Sequence, residues 1–242
     1  MTTSCKHCPL RKRSLFAPMS ADEVAFMTRF KVGELEVEAG TQLLMEGANS
    51  PQLFTVFSGL GLRYKTMEDG KRQVLNFVFP GDFLGMQAGV MGEMRHSIEA
   101  TTEMKLCVFS RSDLWSMFKT TPARAFDLTW MAAVEENFLG EALATIGQMT
   151  ATERLSWAFV RIFQRAEALE MTRGPEMRLP YRQQDFADAL GLSLVHTNKT
   201  LGRLRERQLV HWAEGRLRIP NLVELARVAQ IDLEQPMIRP IM

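Results

Sequence analysis

The chain has 242 residues, of which 46% are hydrophobic, and its formal net charge is +1. That length can bury one or two cores, and the lack of any run of roughly 18 apolar residues excludes a membrane helix. The N-terminal basic cluster lies after, not before, anything hydrophobic, so we expect no secretory signal and a cytoplasmic protein. Three cysteines fit a reducing compartment rather than a disulfide framework.

The small net charge hides an uneven distribution along the chain. Basic residues outnumber acidic ones by 4 to 0 over residues 1–13, whereas acidic residues prevail by 17 to 11 over residues 14–149. Over residues 150–242 the basic residues prevail again, by 14 to 11, and within residues 178–218 they do so by 8 to 4. The last stretch suits a surface that contacts phosphates.

The first 20 residues predict an arm that carries a cysteine pair. Cys5 and Cys8 form a C-x-x-C motif, which can bring two thiolates to one metal or cluster. A structural zinc site needs two further ligands, and only His7 is close in sequence. The alternative is a solvated arm whose thiols have no role.

Residues 21–119 predict a small β domain. A capping box at Ser20 and Glu23 opens a short helix, after which β-prone runs alternate with glycines. The runs of strand length are residues 53–58, 60–66, 72–79, 97–101 and 104–109. Regular short strands with a hairpin turn at residues 68–71 predict an antiparallel barrel or sandwich.

Residues 120–148 predict a long helix whose apolar residues cover more than half of its circumference. A helix of that kind needs cover on two sides. The β domain supplies one side, and the equivalent helix of a second copy supplies the other. Burial within a monomer is the alternative.

Residues 149–242 predict a DNA-binding domain. A capping box at Thr150 and Glu153 opens one helix, and residues 182–204 form two helical stripes interrupted at Gly191. The missing Cβ of this glycine permits a tight turn. Residues 209–212 and 217–219 then predict a hairpin, so the pattern is a helix-turn-helix followed by a wing. In such a motif the second helix, here residues 193–203, lies in the major groove.

The order of these elements resembles the Crp/Fnr superfamily of bacterial transcription regulators. The motifs that carry the resemblance are residues 38–47, 54–59, 80–85, 153–155 and 185–192. The resemblance implies an α+β fold with a cyclic-nucleotide-binding-like β-roll, a long dimerisation helix and a C-terminal winged helix-turn-helix. It also implies a homodimer on a two-fold DNA operator, with RNA polymerase as a further partner and no membrane association.

The resemblance leaves two kinds of sensed signal to consider, a cyclic nucleotide and oxygen or redox state. The cyclic nucleotide binders carry a Gly-Glu pair and a later Arg-Ser pair that holds the phosphate. Here the first pair is Gly81 and Asp82, and Arg95 is separated from Ser97 by a histidine. We therefore expect no cyclic nucleotide, although a small-molecule effector stays an alternative.

The resemblance to the oxygen-sensing Fnr-like branch, of the alphaproteobacterial type, implies an iron–sulfur cluster of the [4Fe–4S] kind. Cys5, Cys8 and Cys107 match its cysteine ligands. One ligand is missing, because Ser14 stands where those proteins have another cysteine. The fourth ligand is then Ser14, His7, a carboxylate or solvent. Thiol-based redox sensing and the absence of any metal role are the alternatives.

The same resemblance implies the DNA contacts. Val195, Asn198 and Lys199 occupy the base-reading positions, and their departure from the usual residues predicts an unfamiliar operator. His196 follows on the first turn of the helix and is a candidate for a base or phosphate contact. Phosphate contacts are assigned to Arg182, Gln183 and Arg203. The remaining candidate contacts on this helix are Ser193 and Thr197.

The dimer seam follows from the alignment to Fnr-like proteins. Its predicted positions are Thr129, Ala132, Glu136, Leu139, Leu143 and Ile146. Two Glu136 carboxylates repel across a two-fold axis unless each finds a cation. The alternative seam is the stripe of Met131, Val134, Phe138 and Ala142.

Other classes of protein have less support. The chain has no nucleophile elbow, phosphate loop or H-E-x-x-H motif, so we predict that it is not an enzyme. A member of the fold that serves as an interaction module without binding DNA is the remaining alternative.

Overall fold

The computed structural model describes residues 2–233 and 235–242. The structure divides into two compact units. The first unit comprises the residues up to 65, residues 76–136 and residues 238–242. The second unit comprises residues 66–75 and 137–237. Among the described residues no helix is both long and apolar enough to cross a bilayer.

The chain opens with a capped helix and continues as a β-roll, which lies in the first unit except for residues 66–75. Helix α1 is Ala21–Phe30, and Ser20 Oγ accepts a hydrogen bond from Glu23 N at 3.2 Å, as the capping box predicts. The strands are β1 Lys31–Val37, β2 Gln42–Leu44, β3 Gln52–Ser58, β4 Gly61–Thr66, β5 Arg72–Val78, β6 Phe83–Leu84, β7 Ser97–Ala100 and β8 Met104–Ser110, with helix α2, Met86–Met91, before β7. They form two antiparallel four-stranded sheets, in the orders β1-β8-β3-β6 and β2-β7-β4-β5.

Alternating side chains of these strands fill the roll. Val56, Ile98 and Leu106 are fully buried at its centre, which stabilises the roll by removing apolar surface from water. Gly59 shows why glycine punctuates the pattern. Its φ is +94°, and a Cβ there would lie 2.4 Å from the carbonyl oxygen of Glu103.

Two helices follow the roll. Helix α3 is Leu114–Thr120, and α4 is Pro122–Gln148, so the long helix runs to within one turn of its predicted bounds. The N-terminal half of α4 packs on the first unit through Leu128 and Met131, which are 2% and 8% exposed.

The second unit contains four further helices and a small sheet. The helices are α5 Ala151–Ala168, α6 Gln183–Leu190, α7 Leu194–Glu206 and α8 Leu222–Val228. The strands are β9 Thr172–Arg173, β10 Glu176–Arg178, β11 His211–Ala213 and β12 Arg216–Arg218, in the sheet order β11-β12-β10-β9. The wing is therefore half of a four-stranded sheet, because two short strands before α6 pair with it, and the sequence patterns predicted neither of them.

An aromatic cluster joins α5, α6 and the wing. The ring centroid of Phe159 lies 5.1 Å from that of Phe186 and 5.7 Å from that of Trp212. The centroids of Phe186 and Trp212 are 4.8 Å apart. Phe159 and Phe186 are fully buried. The cluster fixes the helix-turn-helix against its supporting helix, since aromatic pairs at these distances stabilise beyond their buried area.

The chain then returns to the first unit. Arg239 N donates to Leu15 O at 2.9 Å, and Ala17 N donates to Arg239 O at 2.8 Å. Ile241 and Met242 are 4% and 5% exposed. The predicted fold class of β-roll, long helix and winged helix-turn-helix is confirmed, whereas this return was not predicted.

Candidate functional site

The turn between α6 and α7 is built as the glycine predicts. Gly191 has φ +64°, and Leu192 N donates to Ala187 O at 3.0 Å. Ser193 caps α7, because its Oγ accepts from His196 N at 3.2 Å. Local hydrogen bonds therefore fix the conformation of the turn between the two helices.

The start of α6 is fixed by a buried carboxylate. Asp185, which is 1% exposed, accepts a hydrogen bond from Arg182 N at 2.8 Å and forms an ion pair of 2.7 Å with the Arg182 guanidinium. The Arg182 side chain nevertheless stays 66% exposed. The pair orients a charged group at the surface, where it is available to an anion.

The end of α6 is fixed by α5. Arg154 Nη1 donates to Leu190 O at 3.2 Å, and its Nε donates to Met149 O at 2.8 Å. The first bond satisfies a carbonyl in the last turn of α6, where no intrahelical partner exists. Arg154, the arginine in the motif of residues 153–155, therefore ties the end of α6 to the start of α5.

One face of α7 is exposed and polar. The predicted contact residues on that face are Ser193, Val195, His196, Asn198, Lys199 and Arg203. Val195 is the most notable, because it is 79% exposed although it is apolar. Gln183 is exposed at the start of α6.

Thr197 differs from the other predicted contacts. It is fully buried, together with Thr200 and Leu204, so these three residues form the inner face of α7. Its side chain therefore cannot reach a ligand outside the domain, and we leave it out of the contact set.

Four further exposed basic residues were not among the predicted DNA contacts. They are Arg205 and Arg207 at the end of α7, and Arg216 and Arg218 on the wing. The excess of basic residues over residues 178–218 was the signal that pointed to them. Together with Lys199 and Arg203 they give the surface a positive charge suited to a phosphate backbone.

The three cysteines line one cavity in the first unit. Cys5 and Cys8 come from the N-terminal arm and Cys107 comes from β8, and Lys31, whose ammonium pairs with Glu34 at 2.6 Å, also lines this cavity. Burial raises the pKa of the Cys107 thiol to about 11, and it also raises the pKa of Cys5, which the nearby Lys31 opposes. The predicted ligands are thus brought together.

The donor chemistry fits an iron–sulfur cluster, since three thiols converge beside a cation. The cavity measures about 30 Å³, which is above the roughly 10 to 15 Å³ that one water molecule needs. Ser14 and His7 are exposed and do not line it. Among residues 2–233 and 235–242, no three ligand side chains are arranged to hold a metal ion.

The position of a cyclic nucleotide phosphate is organised differently here. Arg95 is exposed and pairs with Glu93 at 2.9 Å, while Ser97 Oγ accepts from Glu46 N at 3.0 Å. His96 lies between these two residues in the sequence and is buried. This burial, together with the Arg63 guanidinium, lowers the pKa of His96 to about 4. The arginine and the hydroxyl therefore do not form the pair that binds a phosphate.

An ion-pair network occupies the α4 side of the roll. Arg63 Nη1 lies 2.9 Å from Glu135 Oε1, and Asn76 Nδ2 donates to the same oxygen at 3.1 Å. This network satisfies the arginine and the carboxylate within the chain, so neither is held ready for a ligand.

The outer face of α4 carries an exposed stripe. It consists of Phe126, Thr129, Ala133, Glu136, Gly140, Leu143 and Gly147, with alternating spacings of 3 and 4. Leu143 and Phe126 are 73% and 69% exposed. Of the predicted seam, Thr129, Glu136, Leu139 and Leu143 are exposed, and Ala132 and Ile146 are half-buried.

The alternative seam turns toward its own chain. Met131 is buried, Phe138 stacks on Trp157 at 5.8 Å, and Val134 and Ala142 are half-buried. The exposed stripe is therefore the side of α4 that lacks cover. Its period matches the coiled-coil repeat of two helices that pack along their length.

Comparisons with known proteins agree with this geometry. A model of the cyclic nucleotide-binding domain matches residues 34–121, and a model of the Crp-like helix-turn-helix domain matches residues 153–228. The chain is 28% identical to the transcriptional activator protein FnrL of Cereibacter sphaeroides, over 83% of this chain and 81% of that protein. It is 31% identical to the nitrogen fixation regulation protein FixK of Rhizobium meliloti, over 73% of this chain and 77% of that protein.

The fold has a solved counterpart as well. The structure of FixK2 from Bradyrhizobium japonicum superimposes with a TM-score of 0.74 at 23% identity, covering 83% of this chain and 98% of that one. The relatives are transcription regulators and not enzymes, as the sequence predicted. This chain belongs to the Crp/Fnr superfamily of bacterial DNA-binding transcription regulators.

Proposed function

We propose that this regulator acts as a homodimer whose two α7 helices read the half-sites of a two-fold operator. The observation that carries the proposal is the exposed polar face of α7, flanked by the exposed arginines of the wing. The exposed stripe on α4 supports the dimer, because two of its large apolar side chains, Phe126 and Leu143, stay 69% and 73% exposed. The dimer acts in the cytoplasm on promoter DNA, with RNA polymerase as its partner, as is typical of the superfamily.

Within this reading head, the side chains divide by their chemistry. The Asn198 amide can donate to N7 and accept from N6 of adenine, and Val195 can contact a thymine methyl. Lys199 offers a single flexible charge, and His196 and Ser193 lie beside it on the first turn. Arg182, Gln183 and Arg203 supply phosphate contacts, which set affinity and register rather than sequence.

We predict that Asn198→Ala relaxes sequence selectivity and that Arg203→Ala weakens binding to all sequences alike. Loss of a bidentate base contact costs about 1 to 3 kcal/mol of discrimination at one base pair. Loss of one phosphate contact lowers the slope of log affinity against log salt by about 1. Mobility-shift titrations on the selected operator and its single-base variants, at several salt concentrations, measure both quantities.

The control is Lys119→Ala, which removes an exposed cation from α3 in the first unit. It should leave both the selectivity and the salt slope unchanged. A uniform loss with Asn198→Ala and a selective loss with Arg203→Ala would overturn the assigned roles. A complete lack of sequence-selective, salt-dependent binding would favour an interaction module.

We also propose that Cys5, Cys8 and Cys107 hold an iron–sulfur cluster of the [4Fe–4S] kind. The convergence of the three thiols on one cavity supports it, and the Lys31 ammonium there lowers the cost of holding thiolates. When bound, the cluster supplies an oxygen-sensitive iron centre. The exposure of Ser14 and His7 favours a fourth ligand outside these two residues.

The same convergence supports thiol oxidation as the second candidate signal, since Cys5 and Cys8 are near each other. We predict that anaerobically purified protein contains iron and acid-labile sulfide, and that Cys107→Ala lowers the iron content by about tenfold, because one of its thiolate ligands is lost. Ser14→Ala is the control and should retain its iron. Colourless, iron-free protein under these conditions would exclude the cluster. A mass decrease of two hydrogen atoms per chain after treatment with a mild oxidant, which takes up the two electrons, would then favour a disulfide.

A further inference from the structure

The four-stranded sheet of the second unit has one buried face and one exposed face. Met177 of β10 and Leu217 of β12 are cross-strand partners, and they are 4% and 0% exposed. Because side chains alternate along a strand, the residues on either side of them project from the opposite face. All of these residues are exposed, as the alternation requires. The exposed face consists of Glu176 and Arg178 of β10, His211 and Ala213 of β11, and Arg216 and Arg218 of β12.

The charges on this exposed face are not balanced. Arg218 stands opposite Glu176, and the two side chains approach to 3.7 Å. In the next row Arg178 and Arg216 stand directly opposite each other. Over residues 2–233 and 235–242, no carboxylate forms an ion pair with either of these two arginines. Like charges directly opposite each other destabilise a sheet, so this row costs free energy unless an anion lies across it.

The row of Arg178 and Arg216 is continuous with the start of α6. Leu179 N donates to Gly215 O at 2.7 Å, and Trp212 Nε1 donates to Leu179 O at 3.3 Å. These bonds hold the residue after Arg178 against the wing. Arg182 comes four positions after Arg178, so their Cα atoms lie no more than about 14 Å apart. That distance equals about four phosphates along one strand of DNA, at roughly 3.4 Å of helix axis each.

We propose that Arg178 and Arg216 form a basic row that binds the DNA backbone about four phosphates or fewer from the phosphate that Arg182 contacts. The proposal rests on the DNA-binding function proposed above and extends its contacts to β10, a strand that the sequence patterns did not predict. Guanidinium groups bind phosphate oxygens through paired hydrogen bonds. Continuity with Arg182 favours DNA over an acidic protein as the partner. Backbone contacts of this kind add affinity and carry no sequence preference.

The test combines mobility-shift titrations of the selected operator at several salt concentrations with ethylation interference on the same complex. Arg178→Ala should lower the slope of log affinity against log salt by about 2 for a dimer, because each protomer loses one phosphate contact. One phosphate in each half-site should no longer interfere when it is ethylated, and sequence selectivity should stay unchanged. Arg178→Lys keeps the charge and should retain both the slope and the pattern of interfering phosphates.

The matched control is Arg227→Ala, because Arg227 is an exposed arginine of α8 in the same unit and pairs with Glu224 at 2.9 Å. It should change neither the slope nor the interference pattern. Urea unfolding separates binding from stability. Relief of the repulsion between the two arginines should leave the midpoint of Arg178→Ala equal to that of the parent or higher. A lower midpoint with an unchanged interference pattern would mean that Arg178 acts on stability alone, which would overturn the proposal.

The remaining outcomes separate this row from the function on which it rests. Equal slopes and equal interference patterns for the parent and Arg178→Ala would overturn the basic row and leave the proposed DNA-binding function intact. A parent protein without sequence-selective binding would overturn both. Unchanged DNA binding together with weaker binding of Arg178→Ala to RNA polymerase would assign the row to a protein partner and overturn its role on DNA.

Discussion

Replacing Leu143 by glutamate should convert the protein to monomers and weaken its binding to a two-fold operator by about 100-fold or more. Leu143 is 73% exposed near the C-terminal end of the uncovered stripe on α4. A carboxylate at this position would face its symmetry mate in the dimer and add to the repulsion of the Glu136 pair. A monomer binds one half-site, so it loses the gain in affinity from simultaneous binding of two.

Sedimentation equilibrium and mobility-shift titrations measure the two effects. Val90→Glu is the matched control, because Val90 is 67% exposed but lies in α2, outside the stripe. It should remain dimeric and bind DNA as the parent does. A Leu143→Glu protein that remains a dimer with unchanged affinity would show that α4 is not the seam.

Replacing Phe159 by alanine should destabilise the second unit by about 3 to 5 kcal/mol. Phe159 is fully buried and contacts both Phe186 of α6 and Trp212 of the wing, so its removal leaves a cavity between the reading head and its support. Loss of the ring also removes two aromatic pairs. DNA binding should then fail at temperatures at which the parent protein still binds.

Urea unfolding followed by circular dichroism gives the free energy of unfolding. Val223→Ala, at a half-exposed position of α8 in the same unit, should change it by no more than about 0.5 kcal/mol. A loss of less than about 1 kcal/mol with Phe159→Ala would mean that neighbouring side chains collapse into the cavity and that the cluster does not hold the unit together.

The order of domains was predictable because it rests on local patterns. Glycines such as Gly59 and Gly191 mark turns whose backbone conformation other residues rarely adopt, and helical periodicity marks the helix-turn-helix. These signals depend on neighbours in sequence. The convergence of Cys5, Cys8 and Cys107 was implied only by resemblance, because no local pattern joins the arm to β8.

Other features depend on contacts that no local pattern encodes. Thr55 Oγ1 donates to Met242 O although the two residues are 187 positions apart, and the segment around Met242 has no periodicity, so its contacts with the first unit could not be predicted. Strands β9 and β10 have two and three residues, too few for a period of two to be visible. Thr197 was misplaced because the helix phase set by Thr200 and Leu204 puts it on the inner face of α7.

In covalent terms, the DNA-binding unit is an insertion rather than a C-terminal appendage. The chain enters it along α4 and comes back to the first unit with residues 238–242. When the unit unfolds with both ends still anchored, its roughly 100 residues form a closed loop, which has less conformational entropy than a free tail. A single proteolytic cut between residues 229 and 237 abolishes this constraint without separating the units, since α4 remains intact.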